Sequence, residues 1–311
     1  MTQNQPVKFS RLFFSLLLAA LVCGHCPEAF GQTKKKSSLK IKAVRATPAK
    51  DEEDDDNPKI AVPQMSPVAV PSISAASVIV IDARTGQVLY EKNADQPRAA
   101  ASTQKLLTSL IVAERGYLDQ NVTVAPIDTF AEPTKLNIKA GETYQRIDLL
   151  RALLVKSCND VARCLARDNA GSLEAFADAM NRRARELGAV NSHFVNPNGL
   201  PIPNQYSTAR DLSQIARAAY ANPTIRSIVC LPRLVFRYAN GRTRELQNTN
   251  KVLTRLPYCN GMKTGYTEAA GHCLISSGAR PGRDVIAVVL GDGKGRVWQD
   301  SAALLSWALW M

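Results

Sequence analysis

The chain has 311 residues and a formal net charge of +12, and 45% of its residues are hydrophobic and 21% charged. This composition is that of a globular protein with a sizeable core, and it excludes collagen-like chains, wholly disordered chains and disulfide-stapled miniproteins. The positive charges are spread along the chain without a zinc-finger or RNA-binding signature, so we expect no nucleic acid among its partners. Its three histidines are widely separated, so we expect no metal site, and no cofactor is predicted.

The amino terminus has the pattern of an export signal. Lys8 and Arg11 precede an apolar run over Leu12–Cys23, and a plausible cleavage site follows Gly31. The run is shorter than the ~20 residues that span a bilayer, although an uncleaved signal anchor remains an alternative. We therefore expect residues 1–31 to be a signal peptide and the protein to reach the periplasm or the outer face of the cytoplasmic membrane.

Residues 32–71 have the composition of a linker. Three consecutive lysines, the acidic run Asp51–Asp56 and several prolines follow one another, with few large apolar side chains. Such a segment cannot bury enough apolar surface to order itself. We expect a disordered tether that, together with an uncleaved signal, could hold the protein at a membrane surface. The remaining residues, 72–311, are expected to form one catalytic domain.

Within residues 72–311, strands are expected at both ends and helices between them. The predicted strands are Ser77–Asp82, Val88–Tyr90, Cys273–Ser276 and Asp284–Leu290. The predicted helices are 102–115, 146–155, 157–168, 172–187, 208–221 and Val297–Met311. The pattern predicts an α+β fold whose terminal strands share one sheet. The last helix carries three tryptophans and could lie on a membrane, but packing against the sheet is the favoured interpretation.

The motif Ser102-Thr-Gln-Lys105 begins the first predicted helix. A spacing of three places the hydroxyl and the amine on one face of a helix, one turn apart. A neutral Lys105 could then take the proton of Ser102, provided that burial or a second cation lowers the pKa of the amine. Alone, the motif is common by chance, and a helix-capping serine followed by a surface lysine is the competing interpretation.

Two further motifs carry polar side chains. Ser157-Cys-Asn159 offers a hydroxyl that could pass a proton to a leaving amine and a carboxamide that could hold a peptide carbonyl. Lys263-Thr-Gly265, if it lies on an edge strand, presents a cation, a hydroxyl and a bare backbone able to pair with an extended peptide. For Lys263-Thr-Gly265, the alternative is a turn with a solvated lysine.

The order of the three motifs is the one shared by penicillin-binding proteins and class A β-lactamases. Over residues 72–311 the sequence resembles the D-alanyl-D-alanine carboxypeptidases, the low-molecular-mass penicillin-binding proteins. The resemblance implies a β-lactamase-like antiparallel sheet flanked by helices, with a mostly helical insert. The matching stretches are Asp82–Gly86, Ala101–Lys105, Lys156–Asp160, Asn196–Leu200, Tyr206–Asp211, Asn248–Asn250, Gly261–Thr267 and Gly293–Arg296.

The resemblance also implies roles for individual residues. Ser102 is the expected nucleophile and Lys105 its general base. Ser157 would relay a proton to the leaving D-Ala, and Asn159 would bind the substrate amide. Lys263 would keep the site positive.

The same resemblance implies how the substrate is held. Thr264 and Arg296 would bind its terminal carboxylate, and Gly265 would let a peptide approach the strand. The backbone N–H groups of Ser102 and Tyr266 would form the oxyanion hole. The implied substrates are peptidoglycan stem peptides, and β-lactam antibiotics are the implied covalent inhibitors.

The sequence departs from the family pattern at two positions. Cys158 stands where a small residue is usual, and packing is favoured over a modifiable thiol. Tyr266 stands where many relatives carry His. Because the backbone donor is unchanged, we expect this departure to bear on substrate preference rather than on catalysis. His272 is expected to be structural. Removal of the signal leaves five cysteines, so at least one unpaired thiol is expected.

Three other functions stay open. An endopeptidase that cuts D-amino-acid cross-links belongs to the same wider family. A β-lactamase needs a glutamate to activate the deacylating water, and the comparable stretch, Asn196–Leu200, has none. A wall-binding or penicillin-sensing domain without turnover is the third alternative, although all the matched polar residues are present.

Overall fold

Five antiparallel strands from both ends of the chain form the main sheet of this protein, seen in a computed structural model that describes residues 69–311. The expected signal peptide and residues 32–68 of the expected linker lie outside the described residues, so both stay predictions. The strands are β1 (Ser77–Asp82), β2 (Val88–Lys92), β3 (Asn121–Thr123), β4 (Thr143–Gln145), β5 (Arg233–Arg237), β6 (Thr243–Gln247), β7 (Cys259–Thr267), β8 (Gly271–Arg280) and β9 (Arg283–Asp292). The helices are α1 (Lys105–Arg115), α2 (Arg146–Lys156), α3 (Asn159–Ala170), α4 (Leu173–Glu186), α5 (Ala209–Ala221), α6 (Pro223–Val229) and α7 (Arg296–Trp310).

The strand order in the main sheet is β2-β1-β9-β8-β7. The first strand pairs with the last, from Ser77 opposite Leu290 to Asp82 opposite Val285. The strand β1 is apolar on both faces because both faces are covered: one lies against the helical layer and the other beneath α7. The α+β fold and the shared sheet are therefore confirmed, and β7 is an edge strand.

The helix α1 occupies the centre of the helical layer. Leu106, Leu107 and Leu110 are buried in the core that the helices share with one face of the sheet. The helix begins at Lys105 rather than at Ser102, because Ala101–Gln104 form a 3-10 turn that precedes it. The predicted nucleophile therefore lies at the entry to the helix rather than within its first turn.

The C-terminal helix α7 packs against the sheet. Val297, Leu304, Leu305 and Leu309 are buried against the face opposite the helical layer. The favoured interpretation of this tryptophan-rich segment, core packing, is thus confirmed. No helix within residues 69–311 combines the length and apolar character that spanning a bilayer would require.

Several short elements were not expected from the sequence. They are α6, the β5–β6 hairpin and the β3–β4 pair. In β5 only Phe236 is fully buried, so the strand lacks a long apolar run. The dipeptide Asn240-Gly241 at the tip of the hairpin is the local signal that could have predicted it.

Candidate active site

Ser102 and Lys105 are in direct contact. Lys105 Nζ lies 2.6 Å from Ser102 Oγ. The lysine is fully buried, and its nitrogen also donates to Asn159 Oδ1 at 2.7 Å and to the backbone carbonyl of Asn198 at 2.5 Å. A neutral amine that donates its two hydrogens to these acceptors directs its lone pair at the Ser102 hydroxyl. The arrangement therefore suits proton transfer from Ser102 to Lys105.

A second buried lysine controls the charge of the first. Burial lowers the pKa of Lys105 well below its usual value, and the positive charge of Lys263 lowers it further. Lys263 is also buried, and burial lowers its pKa to about 7. Its Nζ donates to Ser157 Oγ at 2.7 Å and to the carbonyl of Thr264 at 2.9 Å. The favoured state therefore has a neutral Lys105 and a charged Lys263.

The turn between α2 and α3 positions a hydrogen-bond partner for each of the two lysines. Ser157 ends α2 in the left-handed conformation, with a φ of +67°, and Asn159 is the first residue of α3. A left-handed non-glycine residue costs about 1–3 kcal/mol. This turn places Ser157 Oγ beside Lys263 and Asn159 Oδ1 beside Lys105. The helix predicted from residue 157 therefore begins two residues later than expected.

The edge strand β7 lies directly against the nucleophile. A Cβ atom on Gly265 would come within 2.9 Å of the backbone nitrogen of Ser102, so only glycine fits there without displacement. Thr264 Oγ1 donates to Thr249 Oγ1 at 2.6 Å. Tyr266 is exposed, and its ring stacks on that of His272 with 4.4 Å between centroids. The predicted edge-strand position of this motif is confirmed.

Arg296 lies on a different element from the other predicted site residues. It is exposed, and it is the first residue of α7. Thr264 is paired with Leu274, which packs under α7, so Thr264 and Arg296 lie on the same side of the sheet. Within residues 69–311 the guanidinium of Arg296 makes no ion pair, and its role stays a prediction.

A backbone segment that the sequence did not identify as part of the site completes it. Gly199 has a φ of +83°, and a Cβ atom there would lie 2.1 Å from the carbonyl oxygen of Ala101. This close approach puts the carbonyl of Asn198 against Lys105. Sequence matching marked Asn196–Leu200, but a role played by a backbone carbonyl cannot be recognised from a residue type.

Asp160 and Thr249 lie in two of the matching stretches and also support the site, although no role was predicted for either. The carboxylate of Asp160 accepts hydrogen bonds from the backbone N–H groups of residues 136, 137, 138 and 161. Burial raises the pKa of Asp160, while these N–H groups oppose the rise. Asp160 ends the matching stretch Lys156–Asp160, which is the sequence signal that marks it.

The described cysteines form no disulfide, and the one beside the site is buried. All five described cysteines are unpaired. Cys158 is fully buried, and burial raises the pKa of its thiol to about 12. It therefore stays protonated and packs between Ser157 and Asn159, as expected. Among the described residues, no group of three or more His, Cys, Asp or Glu side chains is placed to hold a metal ion.

Comparison with known proteins agrees with this geometry. The family model for D-alanyl-D-alanine carboxypeptidase (peptidase S11) matches residues 64–294. The D-alanyl-D-alanine carboxypeptidase DacB2 of Mycobacterium tuberculosis is 36% identical over 246 residues, which are 77% of this chain and 84% of that protein. The D-alanyl-D-alanine endopeptidase of Escherichia coli is 32% identical over 242 residues, covering 76% and 78% of the two chains.

A solved structure extends the likeness to the fold. The D-alanyl-D-alanine carboxypeptidase of Mycobacterium tuberculosis H37Rv superposes with a TM-score of 0.73 at 34% identity, over 78% of this chain and 95% of that chain. The side chains of the three motifs that resemble this family lie together around Ser102. This chain belongs to the D-alanyl-D-alanine carboxypeptidase family and is a serine hydrolase.

Proposed function

We propose that this protein removes the terminal D-Ala from peptidoglycan stem peptides through an acyl-enzyme on Ser102, and that penicillins acylate the same serine. The observation that carries the proposal is the contact of Lys105 Nζ with Ser102 Oγ at 2.6 Å, inside a buried site. A hydroxyl beside a neutral amine is an activated nucleophile.

Each half-reaction can be written with these residues. The Ser102 proton passes to Lys105 Nζ while Oγ bonds to the carbonyl carbon of the penultimate D-Ala. The carbonyl oxygen becomes an oxyanion that the N–H groups of Ser102 and Tyr266 would stabilise. The C–N bond then breaks, and the leaving amine takes the proton of Ser157, which is replaced from Lys263. The proton on Lys105 then passes to the neutral Lys263, which restores the starting charges of both lysines. Water hydrolyses the ester, so that Ser102 regains its hydroxyl hydrogen and the shortened peptide leaves as a carboxylic acid.

The first test is an intact-mass time course of the protein with benzylpenicillin. The wild type should gain a persistent adduct, and Ser102→Ala should gain none. Ser109→Ala is the matched control, because Ser109 lies on α1, is buried and has no hydrogen-bond partner within the described residues. Rapid loss of the adduct with hydrolysis of the penicillin would instead indicate a β-lactamase. No adduct on the folded wild type would contradict the proposal.

Release of D-Ala from a pentapeptide then establishes turnover. A carboxypeptidase releases it, and the activity is lost in Ser102→Ala. Acylation by penicillin without any peptide hydrolysis would favour a penicillin-sensing domain.

The second candidate function is endopeptidase activity. It is favoured by the relatives from Escherichia coli and Pseudomonas aeruginosa that are named D-alanyl-D-alanine endopeptidases, at 32% and 33% identity. Cross-linked dimeric stem peptides and monomeric pentapeptides, offered at equal concentration, separate the two functions. Release of D-Ala from the pentapeptide that is faster than cleavage of the cross-link supports the carboxypeptidase, and the reverse order supports the endopeptidase.

We also propose that the protein acts outside the cytoplasm, in the periplasm or at the outer face of the membrane. The proposal is supported by the signal-like pattern at 1–31 and by a substrate that belongs to the cell wall. Trimming of stem peptides there would limit cross-linking and so influence cell shape. Fractionation and N-terminal sequencing test it: a chain that begins near Gln32 indicates cleavage. A full-length chain in the membrane fraction indicates an uncleaved anchor, and a cytoplasmic chain contradicts export.

A further inference from the structure

A basic cavity lies beside the active site, and the mechanism above does not use it. It has a volume of about 380 Å³. Its lining residues are Leu136, Asn137, Tyr238, Arg242, Thr243 and Arg244. They come from two segments, the stretch 134–138 and the β5–β6 hairpin.

The stretch 134–138 is attached to the predicted catalytic residues. The N–H of Asn159 donates to the carbonyl of Thr134 at 2.7 Å. The Asp160 carboxylate accepts from the N–H groups of Leu136 at 3.0 Å and Asn137 at 2.8 Å. One wall of the cavity is therefore fixed to the residue that we expect to bind the substrate amide.

The hairpin forms the opposite wall and is attached to the first. Tyr238 donates its hydroxyl hydrogen to the carbonyl of Leu136 at 2.9 Å. Beyond the end of β6 the chain reaches Thr249, which accepts a hydrogen bond from Thr264. Both walls thus continue into the site itself, one on the Asn159 side and one on the β7 side.

Two arginines lie on the inner face of the hairpin. Arg244 and Leu246 are two residues apart on β6 and share a face, and Leu246 is buried in the core. Arg242 lies over the ring of Tyr238, 4.9 Å from its centroid. The guanidinium of Arg244 also interacts electrostatically with Cys158. Burial raises the pKa of this thiol, and Arg244 is among the cations that oppose the rise.

These two guanidiniums have no acidic partner within residues 69–311. On the outer face of the same hairpin, by contrast, Arg233 lies 3.8 Å from Glu245. Asp160, the acid attached to the first wall, has its carboxylate bound by backbone N–H groups. Two unpaired guanidiniums that line one cavity are suited to bind a carboxylate.

We propose that this cavity is a subsite for a carboxylate on the acyl side of the substrate, carried by the side chain of the third residue of the stem peptide. The inference rests on the proposed function and specifies its substrate class as acidic stem peptides. The terminal carboxylate of the leaving D-Ala is a separate group, expected at Thr264. One wall of the cavity belongs to the stretch that accepts the Asn159 N–H at Thr134, so we place the acyl side of a bound peptide along this wall.

The test compares two pentapeptides that differ only in the third side chain, which ends in a free carboxylate in one and a carboxamide in the other. We expect the wild type to have the higher kcat/KM for the acid. Arg244→Gln should lower that value about tenfold and leave the amide unchanged, since a charge-assisted hydrogen bond is lost. Arg237→Gln is the matched control, because Arg237 lies on the outer face of the hairpin and has no acidic partner within the described residues.

Failure of the subsite and failure of the proposed function give different results. If both peptides release D-Ala, and the ratio of kcat/KM for the acid to kcat/KM for the amide is the same in the wild type and in Arg244→Gln, the subsite is wrong and the function stands. If the folded wild type releases no D-Ala, the carboxypeptidase proposal is wrong. Acylation rates with carbenicillin and benzylpenicillin, which differ by one side-chain carboxylate, then decide on the subsite. The subsite is supported if Arg244→Gln lowers the acylation rate with carbenicillin but not with benzylpenicillin. It is overturned if the ratio of these two rates is the same in Arg244→Gln and in the wild type.

Discussion

At the scale of single residues, the chemistry depends on which of two buried lysines carries a proton. In the proposed mechanism, Lys105 must be neutral to accept the Ser102 proton, and Lys263 must be charged to replace the proton of Ser157. Burial lowers the pKa of both amines, that of Lys263 to about 7, and the charge of Lys263 lowers the pKa of Lys105 further. We expect acylation by benzylpenicillin to be bell-shaped in pH, rising as Lys105 loses its proton and falling above about pH 7 as Lys263 does.

Replacement of Lys263 by Gln tests this division of roles. Without the neighbouring positive charge, the pKa of Lys105 rises. The acid limb of the acylation profile should therefore move to higher pH in Lys263→Gln, and the alkaline limb should disappear. The measurement is the second-order acylation rate across pH, with thermal unfolding as the check on folding. An acid limb that stays in place would show that Lys263 does not control Lys105.

Gly199 is a residue whose side chain must be absent. Its φ is +83°, and an added Cβ atom would lie 2.1 Å from the carbonyl oxygen of Ala101 and 3.0 Å from the nitrogen of Ser102. We expect Gly199→Ala to lower the free energy of unfolding by about 2–4 kcal/mol and to slow acylation, because the carbonyl of Asn198 is pushed away from Lys105.

The matched control for this substitution is Gly188→Ala. Gly188 also has a φ of +83°, but a Cβ atom there meets nothing within 4 Å. We expect a loss of about 1–2 kcal/mol from the backbone conformation alone and an unchanged acylation rate. Equal effects of the two variants, measured by denaturant unfolding and intact mass, would refute the steric argument.

Single residues also show what sequence can predict of this site. The motifs predict Ser102, Lys105, Ser157, Asn159 and Lys263 as site residues because their functional groups are side chains, and the structure brings these side chains together. The motifs do not predict the carbonyl of Asn198, because every residue has one and only the fold decides which carbonyl faces Lys105.

At the scale of elements, the helix α3 holds the stretch 134–138 in place through one side chain. Leu136 and Ile138 are buried, and their N–H groups donate to the carboxylate of Asp160. A buried N–H group without a partner destabilises the folded state by about 1–3 kcal/mol. The position of this stretch, and with it one wall of the basic cavity, therefore depends on the first turn of α3.

We expect Asp160→Ala to lower the free energy of unfolding by about 3 kcal/mol and to reduce the acylation rate, because several N–H groups lose their acceptor. Asp160→Asn should lose less, since its carboxamide oxygen can still accept. Asp178→Ala, an exposed acid on α4, should change neither quantity. Denaturant unfolding and acylation rates check all three variants, and a wild-type stability for Asp160→Ala would contradict the role.

Elements with long apolar patterns were predicted well, and those without were not. The strands β1 and β9 and the helices α1 to α5 and α7 follow clear periodicity. A predicted helix boundary was wrong where the local backbone conformation departed from the apolar periodicity, as at the left-handed Ser157, after which α3 begins. The hairpin β5–β6 was missed because a strand with one buried side chain has no alternation to detect.

At the scale of the whole molecule, the two ends of the domain are tied by a pair of acids. Asp300 Oδ2 accepts from the N–H groups of Ser74 and Ala75, and Asp292 Oδ1 accepts from the Ser74 hydroxyl. Asp292 Oδ2 is buried without a partner within the described residues. Burial raises the pKa of Asp292, and the nearby Asp300 raises it further.

The raised pKa of Asp292 predicts that replacing this acid by a neutral residue stabilises the fold, and that the gain in stability depends on pH. An acid whose pKa is higher in the folded chain binds more protons when folded, so its contribution is present at low pH and is lost as the pH rises through the raised pKa. We expect Asp292→Asn to raise the free energy of unfolding by about 1 kcal/mol at pH 7, because a buried charge is removed. The gain should shrink toward pH 4.

Thermal unfolding of both proteins across pH checks this prediction. Asp119→Asn, at an exposed acid, is the control and should have no comparable effect. A loss of stability in Asp292→Asn, or a gain independent of pH, would contradict it.

The pairing of β1 with β9 has a consequence for how the chain folds. Until residues 283–292 are available, β1 has only its neighbour β2 to pair with, and the central position of the sheet is empty. An exported chain therefore exposes apolar strand surface until its C-terminal residues have crossed the membrane, and it needs a chaperone most before that point. Any truncation before β9 should yield an aggregating chain rather than a smaller enzyme.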